Sequence, residues 1–379
     1  MKKTLVALAA LASVSAFAQS SVTLDGYMDR GYVVTNNTNT AKSSKAVGSN
    51  AGTTTIGIKV TQDLGAGLKA NVSISTDWAD AGGLVQDGSA ASTTPTASGS
   101  FGNSQNFINL QSATFGTIAL GNINNEVLTA VTGVAGPAFS TGVGSAYSSA
   151  WSVHNGFGTG VVGANTQVTT TAQGATGAGV RGIRQVNTVK YTSPNVAGFV
   201  VNYGETPLND QGSAGTGDTV GAKDYSLRYT NGPLDVIYAG LKYTVGANAP
   251  ANGSLTAGSD ITHTTLGASY QVLPVLKLHA GLSTSKSNGL TTNIDTKSTQ
   301  YGVTYNVTPV IDAMFQVAKA DDRGTGNFDR KMTGFGVDYK FSKTTRAYLR
   351  YDSLNLDSAH AASSGSEIKR TAVGLSTSF

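Results

Sequence analysis

Leu68-Lys69-Ala70-Asn71-Val72-Ser73-Ile74-Ser75 decides how this chain is read. An apolar residue stands at every second position and a polar one between, the period of two that belongs to a strand with two unlike faces. The stretch follows directly on Asp63-Leu64-Gly65-Ala66-Gly67, a glycine-rich reversal, and before that Ile56, Ile58 and Val60 alternate with Gly57, Lys59 and Thr61. Two alternating runs joined by a tight turn are an antiparallel hairpin.

The same pattern recurs down the chain. Tyr225, Leu227 and Tyr229; Leu266, Ala268 and Tyr270; Leu276, Leu278, Ala280 and Leu282; Tyr301, Val303 and Tyr305; and Phe335, Val337, Tyr339 and Phe341 each mark one face of a strand. Each run is about the 9 to 11 residues that cross a bilayer as a tilted strand. Short turns fall at 63–67, 115–116, 193–195, 231–233, around Pro274, at 308–309 and at 342–344. Between them lie long stretches rich in Gly, Ser, Thr and Asn, at about 35–52, 78–102, 123–183, 205–222, 245–259, 287–296, 320–330 and 357–368. Seven turns and eight loops require sixteen strands. An even number of antiparallel strands, with short turns at one end and long loops at the other, is the pattern of an outer-membrane β-barrel.

Composition agrees. The 379 residues include 47 glycines, 8 prolines and no cysteine, with 13% charged residues. The missing cysteines exclude disulfides, thiol nucleophiles and Cys-ligated zinc. Lys2, Lys3, the apolar stretch from Leu5 to Ala12 and Ala16-Phe17-Ala18 read as a signal peptide over 1–18, with the mature chain beginning at Gln19. Removing it leaves 24 basic against 22 acidic residues. No basic run accompanies that balance, so no nucleic-acid partner is implied. Past Gln19 there is no run of 18 apolar residues, which excludes a bundle of membrane helices.

Two other readings of alternating strands carry less. A soluble β-sandwich has no need of Tyr203, Tyr243, Tyr270, Tyr305, Phe341 and Tyr351 beside turns and loops, where an interfacial aromatic girdle belongs. A solenoid would show a fixed repeat, and none is present. Enzymatic motifs are missing too: His154, His263, His279 and His360 stand near no nucleophile elbow and no H-E-x-x-H pair.

Several segments resemble the general diffusion porins of Gram-negative betaproteobacteria. They are Ser21-Val22-Thr23-Leu24 with Gly26, Gln62 to Ala70, Phe115 to Gly121, Asn187 to Phe199, Phe341 to Tyr348, and the terminal Val373-Gly374-Leu375-Ser376-Thr377-Ser378-Phe379. The resemblance runs the length of the chain and is weakest in the long loops. It implies an all-β, 16-stranded antiparallel transmembrane barrel over 19–379, assembled as a homotrimer, with its third loop (about 123–183) folded inward as a constriction. It also implies an outer-membrane location among lipid and lipopolysaccharide, and a terminal Phe379 read by the barrel assembly machinery. The activity implied is passive passage of ions and small hydrophilic solutes, with no cofactor.

Within the constriction loop the candidate residues are Glu126, Phe139, Tyr147 and Trp151, and the stretch from Glu126 to Val131 is expected to make a turn or two of helix. Where family members often carry arginines this chain has Thr55, Ser104 and Asn122. A strong preference for anions is therefore not inherited. Strand parity turns Lys59, Lys69, Arg184, Lys190, Arg228, Lys277, Lys340, Arg346 and Arg350 inward, along with Asp25, Asp29, Asp77, Asp224, Asp312, Asp338 and Asp352. Nine cations against seven anions do not decide selectivity. Asn122 joins them as a pore-lining candidate.

Arg30 breaks the pattern, because Val22, Leu24 and Met28 set even numbers outward. A charge on the lipid face at mid-depth costs roughly 2 to 4 kcal/mol, so a bulge or a buried subunit contact is expected there. Two alternatives stay open. One is a substrate-specific channel using Phe139, Tyr147 and Trp151 as a greasy surface; the other is a surface adhesin or receptor barrel.

Overall fold

The computed structural model describes residues 20–38, 42–77, 102, 104–147, 184–207, 220–246, 258–289, 295–323, 329–356 and 367–379. The signal peptide, Gln19 and Trp151 lie outside them. Seventeen strands form one sheet. They are β1 (Ser20–Asn37), β2 (Lys42–Gly48), β3 (Thr55–Gly65), β4 (Leu68–Asp77), β5 (Asn106–Ser112), β6 (Gly116–Asn124), β7 (Arg184–Thr192), β8 (Phe199–Thr206) and β9 (Val220–Asn231), followed by β10 (Leu234–Val245), β11 (Asp260–Leu273), β12 (Leu276–Asn288), β13 (Asp295–Thr308), β14 (Ile311–Asp322), β15 (Arg330–Lys340), β16 (Thr345–Leu356) and β17 (Glu367–Ser378).

All pairings are antiparallel, and the sheet closes where β17 returns to β1, from Tyr27 opposite Ser378 to Asn37 opposite Ile368. Closure satisfies every edge, which is what lets a sheet stand in hydrocarbon. At the seam the amides and carbonyls of Gly26 and Phe379 exchange two hydrogen bonds of 3.1 Å.

The wall has sixteen positions although it has seventeen strands. β1 pairs with β3 over its first half, up to Tyr27 opposite Thr55, and with β2 over its second, from Gly31 opposite Gly48. β2 and β3 are thus the upper and lower halves of a single wall position. Between them, residues 49–54 bulge out opposite Met28, Asp29 and Arg30. This corrects the expected first loop at 35–52, since β1 runs on to Asn37 and the ladder resumes at Lys42. Above the lipid both faces are wet, so the apolar alternation fades while the backbone ladder continues.

The bulge also resolves Arg30. Its Nη1 donates to the Asp29 carbonyl at 2.7 Å, Thr54 Oγ1 at 3.0 Å and Ser49 Oγ at 3.4 Å, so the guanidinium is spent on the broken ladder. Asp29, inward and fully buried, holds the same break from the other face. One of its carboxylate oxygens accepts from the amides of Asn50 (2.7 Å), Ala51 (2.6 Å) and Gly52 (3.0 Å), and the other from the Tyr348 hydroxyl at 2.6 Å.

Outward positions are apolar or aromatic, as parity requires: Leu227, Leu266, Leu282, Phe315 and Phe335 are all exposed on the single chain. Tyr203, Tyr270, Tyr305 and Phe341 sit at strand ends on that face, as a girdle would. Tyr243 does not. It points inward and is fully buried, because a segment from inside the barrel covers it.

Candidate functional site

That segment is the beginning of the third long connection, Asn125 to Tyr147. Asn125 caps a short helix, α1 (Glu126–Leu128), accepting the Leu128 amide at 2.8 Å, and the chain winds on through a π-helical turn, Thr129–Val134. The expected helix around Glu126–Val131 is therefore present. Its Val127, Ala130, Val131 and Val134 fall on one face and are buried against inward Ile237, Leu241, Tyr243 and Ile261. Each valine buried there contributes about 1.5 kcal/mol or more. This patch departs from a uniformly polar bore, since on β9 to β11 the inner wall is built to hold the loop.

Beyond the helix the loop travels around the inside of the wall. The Ala135 carbonyl meets His279 Nδ1 at 2.8 Å, and the Val131 carbonyl accepts from Gln300 Nε2 at 3.1 Å. Phe139 lies under the Arg350 guanidinium, 5.6 Å from its ring centre. The Gly144 amide donates to Asp352 Oδ2 at 2.8 Å, and the Val143 amide to the Asn50 carbonyl at 2.8 Å. The loop thus runs from β9 to β16 and docks on the bulge that Asp29 organises. Small inward residues make room for it: a Cβ on Gly281 would stand 2.6 Å from that of Ala135, and one on Gly334 would stand 2.5 Å from the Gly144 carbonyl.

Charge on this covered arc is neutralised in place. Lys190 sits between Glu126 (2.6 Å) and Asp224 (3.1 Å), all three nearly buried, and the Glu126 amide itself donates to Asp224 at 2.9 Å. Arg350 and Arg346 share Asp338, at 2.6 and 3.0 Å. Arg228 pairs with Asp235 at 2.6 Å and Lys340 with Asp312 at 2.7 Å. Arg370, which parity from Val373 and Leu375 could have placed inward, pairs with Asp352 at 2.6 Å.

At its far end the loop buries Val143 against Val33 of β1, Ala51 and Ala372 of β17, and the remaining inner wall, on β3 to β6 and the first half of β1, is not covered by any described part of the loop. Lys59 pairs with Asp25 at 2.7 Å and stays exposed to the bore, while Arg184 is buried against Asp77 at 3.3 Å. Beside them runs an uncharged ladder. Thr61 donates to Asn71 Oδ1 at 2.9 Å, and Asn71 Nδ2 to Asn109 at 2.8 Å and Gln111 at 3.2 Å. Lys69 and Lys277 face inward with no ion pair among the described residues.

The structure places the nine named cations on β3, β4, β7, β9, β12, β15 and β16 and Glu126, Phe139 and Tyr147 on the described part of the loop, but changes what several can do. Glu126 and Lys190 neutralise each other, and Phe139 and Tyr147 are 3% and 6% exposed, with their rings turned to the wall rather than to the bore. Asn122 departs from its expected place. It pairs with Asn106, donates to the Ser104 carbonyl at 2.7 Å and lines an outward hollow with Val72, Ile108, Leu120 and Asn187. Ile118, Leu120 and Asn122 share the outward parity of β6, so alternation along the strand already turns Asn122 away from the bore, and only the resemblance made it a pore-lining candidate. His279, Gln300 and Asn50, the groups that hold the loop, carried no signal in the sequence, because their role exists only once the loop is folded in.

A closed sixteen-position barrel, apolar outside and polar within, narrowed by a loop packed on its inner wall, is the architecture of an outer-membrane diffusion channel. The family model of Gram-negative porins matches residues 4–359, and the chain belongs to that family. It is a passive channel of the outer membrane and not an enzyme. Outer membrane porin protein 32 of Delftia acidovorans is 32% identical over 274 residues, which span 71% of this chain and 66%, just under two thirds, of that one. The anion-selective porin from Comamonas acidovorans superposes with a TM-score of 0.73 at 24% identity, covering 95% of this chain and all of that one. OmpF of Salmonella typhi gives 0.63 at 15% identity over 94% of this chain and 97% of that one.

Proposed function

We propose that this porin passes ions and small hydrophilic solutes with weak charge selectivity. The observation that carries this reading is the pairing of its inward charges: seven of the nine expected inward cations lie within ion-pair distance of a carboxylate. A neutralised pair projects little field into a bore where the screening length is about 8 Å at ~0.15 M salt. Thr55, Ser104 and Asn122 add no charge where family members often carry arginine. Lys59, Lys69, Arg228 and Arg346 are the cations placed to touch passing ions; Arg184, Lys190 and Arg350 hold the wall and loop together. A substrate-specific channel would need free aromatic rings in the bore, and Phe139 and Tyr147 do not supply them.

The working form is a homotrimer in outer-membrane lipid and lipopolysaccharide, with Phe379 as its signal to the barrel assembly machinery and 1–18 as its export signal. The outward face of β4 to β6 suits a second copy of the chain, for it carries no charged residue and places Asn122, whose Oδ1 lacks a partner, where hydrocarbon would penalise it. The test is single-channel recording in a planar bilayer under a KCl gradient. Large conductance steps in groups of three, reversing near zero, are expected. A reversal potential close to that of chloride would overturn weak selectivity.

A further inference from the structure

We infer that the open bank carries a binding site for a zwitterionic solute with an aromatic side chain, such as an aromatic amino acid. A ring, an ion pair and an amide in one patch carry it. Phe107 has the inward parity of Asn109 and Gln111 on β5, while its neighbour Ile108 is exposed outward. Phe107 is half-buried, and the inward residues directly opposite it on either side, Ser73 and Gly121, are small. Its ring therefore stands above low neighbours beside the water-filled bore. The other inward aromatic rings among the described residues are spent. Phe139, Tyr147, Tyr243 and Tyr348 are buried, and Tyr27 lies over Gly52 with its hydroxyl accepting from Arg346 at 3.3 Å.

The ion pair lies in the same row of the wall. Lys59 stands opposite Ser73 and Ser73 opposite Phe107, so the Lys59 and Phe107 backbones are two strand spacings apart, about 10 Å. Lys59 Nζ holds Asp25 Oδ2 at 2.7 Å, and both side chains stay open to the bore, 58% and 39% exposed. No other inward pair among the described residues leaves both members so open. An exposed pair adds little to stability, and its charges stay available to a solute. A solute of one charge is attracted by one member and repelled by the other. A zwitterion answers both, carboxylate to Lys59 and ammonium to Asp25, and a lysine side chain and an aromatic amino acid laid along the row together span the distance to Phe107. There the two rings meet offset or edge to face. Asn109, two residues along from Phe107 on the same face, accepts from Asn71 at 2.8 Å through Oδ1, and its Nδ2 has no partner among the described residues. That leaves a donor beside the ring for an oxygen of the solute. A neutral sugar would leave the ion pair unanswered, and a simple organic anion would use neither the ring nor Asp25.

The site rests on the aqueous bore proposed above and assigns it a solute. With a single ring it slows that solute rather than excluding others, in keeping with a general channel. The test is ion-current recording from the full mature chain in a planar bilayer in KCl at neutral pH, with phenylalanine titrated in on one side and alanine, glucose and benzoate as comparisons. Phenylalanine is expected to block the current saturably, and each comparison solute to block at least roughly fivefold more weakly. Phe107→Ala, Phe107→Leu, which keeps the bulk should the smaller side chain disturb folding, and Asp25→Asn/Lys59→Gln are each expected to weaken the block by at least roughly fivefold. Lys277→Gln, on β12, is expected to leave it as it was. A block by phenylalanine no stronger than by alanine, glucose or benzoate, or one undiminished in both Phe107 variants or in the double variant, would overturn the proposal. A parent protein that conducts without saturable block overturns the site alone. One without conductance breaks the channel reading instead, and retention of phenylalanine by the detergent-solubilised protein in equilibrium dialysis then decides the site by itself.

Discussion

The inner wall has two unlike halves. From β7 to β16 it is a seat: apolar on β10 and β11, shallow at Gly281 and Gly334, with Lys190, Arg350 and Asp352 locked to partners around the loop. On β3 to β6 and the first half of β1 it is an open bank of amides, hydroxyls and one exposed ion pair. One half spends its polar groups on structure, and the other keeps them for solutes. The difference teaches that in a barrel an inward charge is not automatically a selectivity charge; what decides is whether the protein has already paired it.

The comparison is broken most severely by removing a buried anchor. Asp29→Ala leaves three amides and a hydroxyl facing no carboxylate at the bulge where the loop docks, and should cost about 3 to 5 kcal/mol. Urea unfolding of the folded barrel measures it, and a loss under 1 kcal/mol would show the bulge to be held by something else. Lys190→Met strands Glu126 and Asp224 together in a buried site, with a similar cost and a noisier open channel. Adding Glu126→Gln should restore part of the stability, as a coupled pair requires. Gly281→Val, which drives a side chain into Ala135, should cost about 1 to 3 kcal/mol and disturb only the covered half.

The fold was legible because a strand with lipid on one side and water on the other must alternate, and the strand count follows from the turns. What the sequence hid were places where that rule lapses. The ladder at Lys42–Gly48 lies where both faces are wet, and Tyr243 is apolar but inward because a loop returns to cover it. Lys190 was placed inward by parity, but its partner Glu126 is 64 residues away in the chain and only the folded loop brings them together.

The smallest effects sharpen the open half. Thr55→Arg, inward between Tyr27 and Asp77, should move the reversal potential several millivolts toward chloride, on the order of what one added unpaired charge can do near a bore screened over about 8 Å. Asn122→Arg, on the outward face, should leave the reversal potential alone and instead weaken subunit association, read as a shift from trimer to monomer on gels. Equal effects of the two arginines on selectivity would contradict the placement of Asn122. Asn109→Ala should change stability by about 1 kcal/mol or less, since a wet amide ladder has water as its alternative partner.

The absence of cysteine allows the most direct test of the two halves. Asn109→Cys on the open bank and Gln300→Cys beneath the loop are each exposed, in an open channel in a planar bilayer, to a bulky charged thiol reagent that cannot cross lipid. Conductance is expected to fall stepwise for Asn109→Cys and not to change for Gln300→Cys. Modification at Gln300→Cys as fast as at Asn109→Cys would contradict it, because the loop would then not cover that wall.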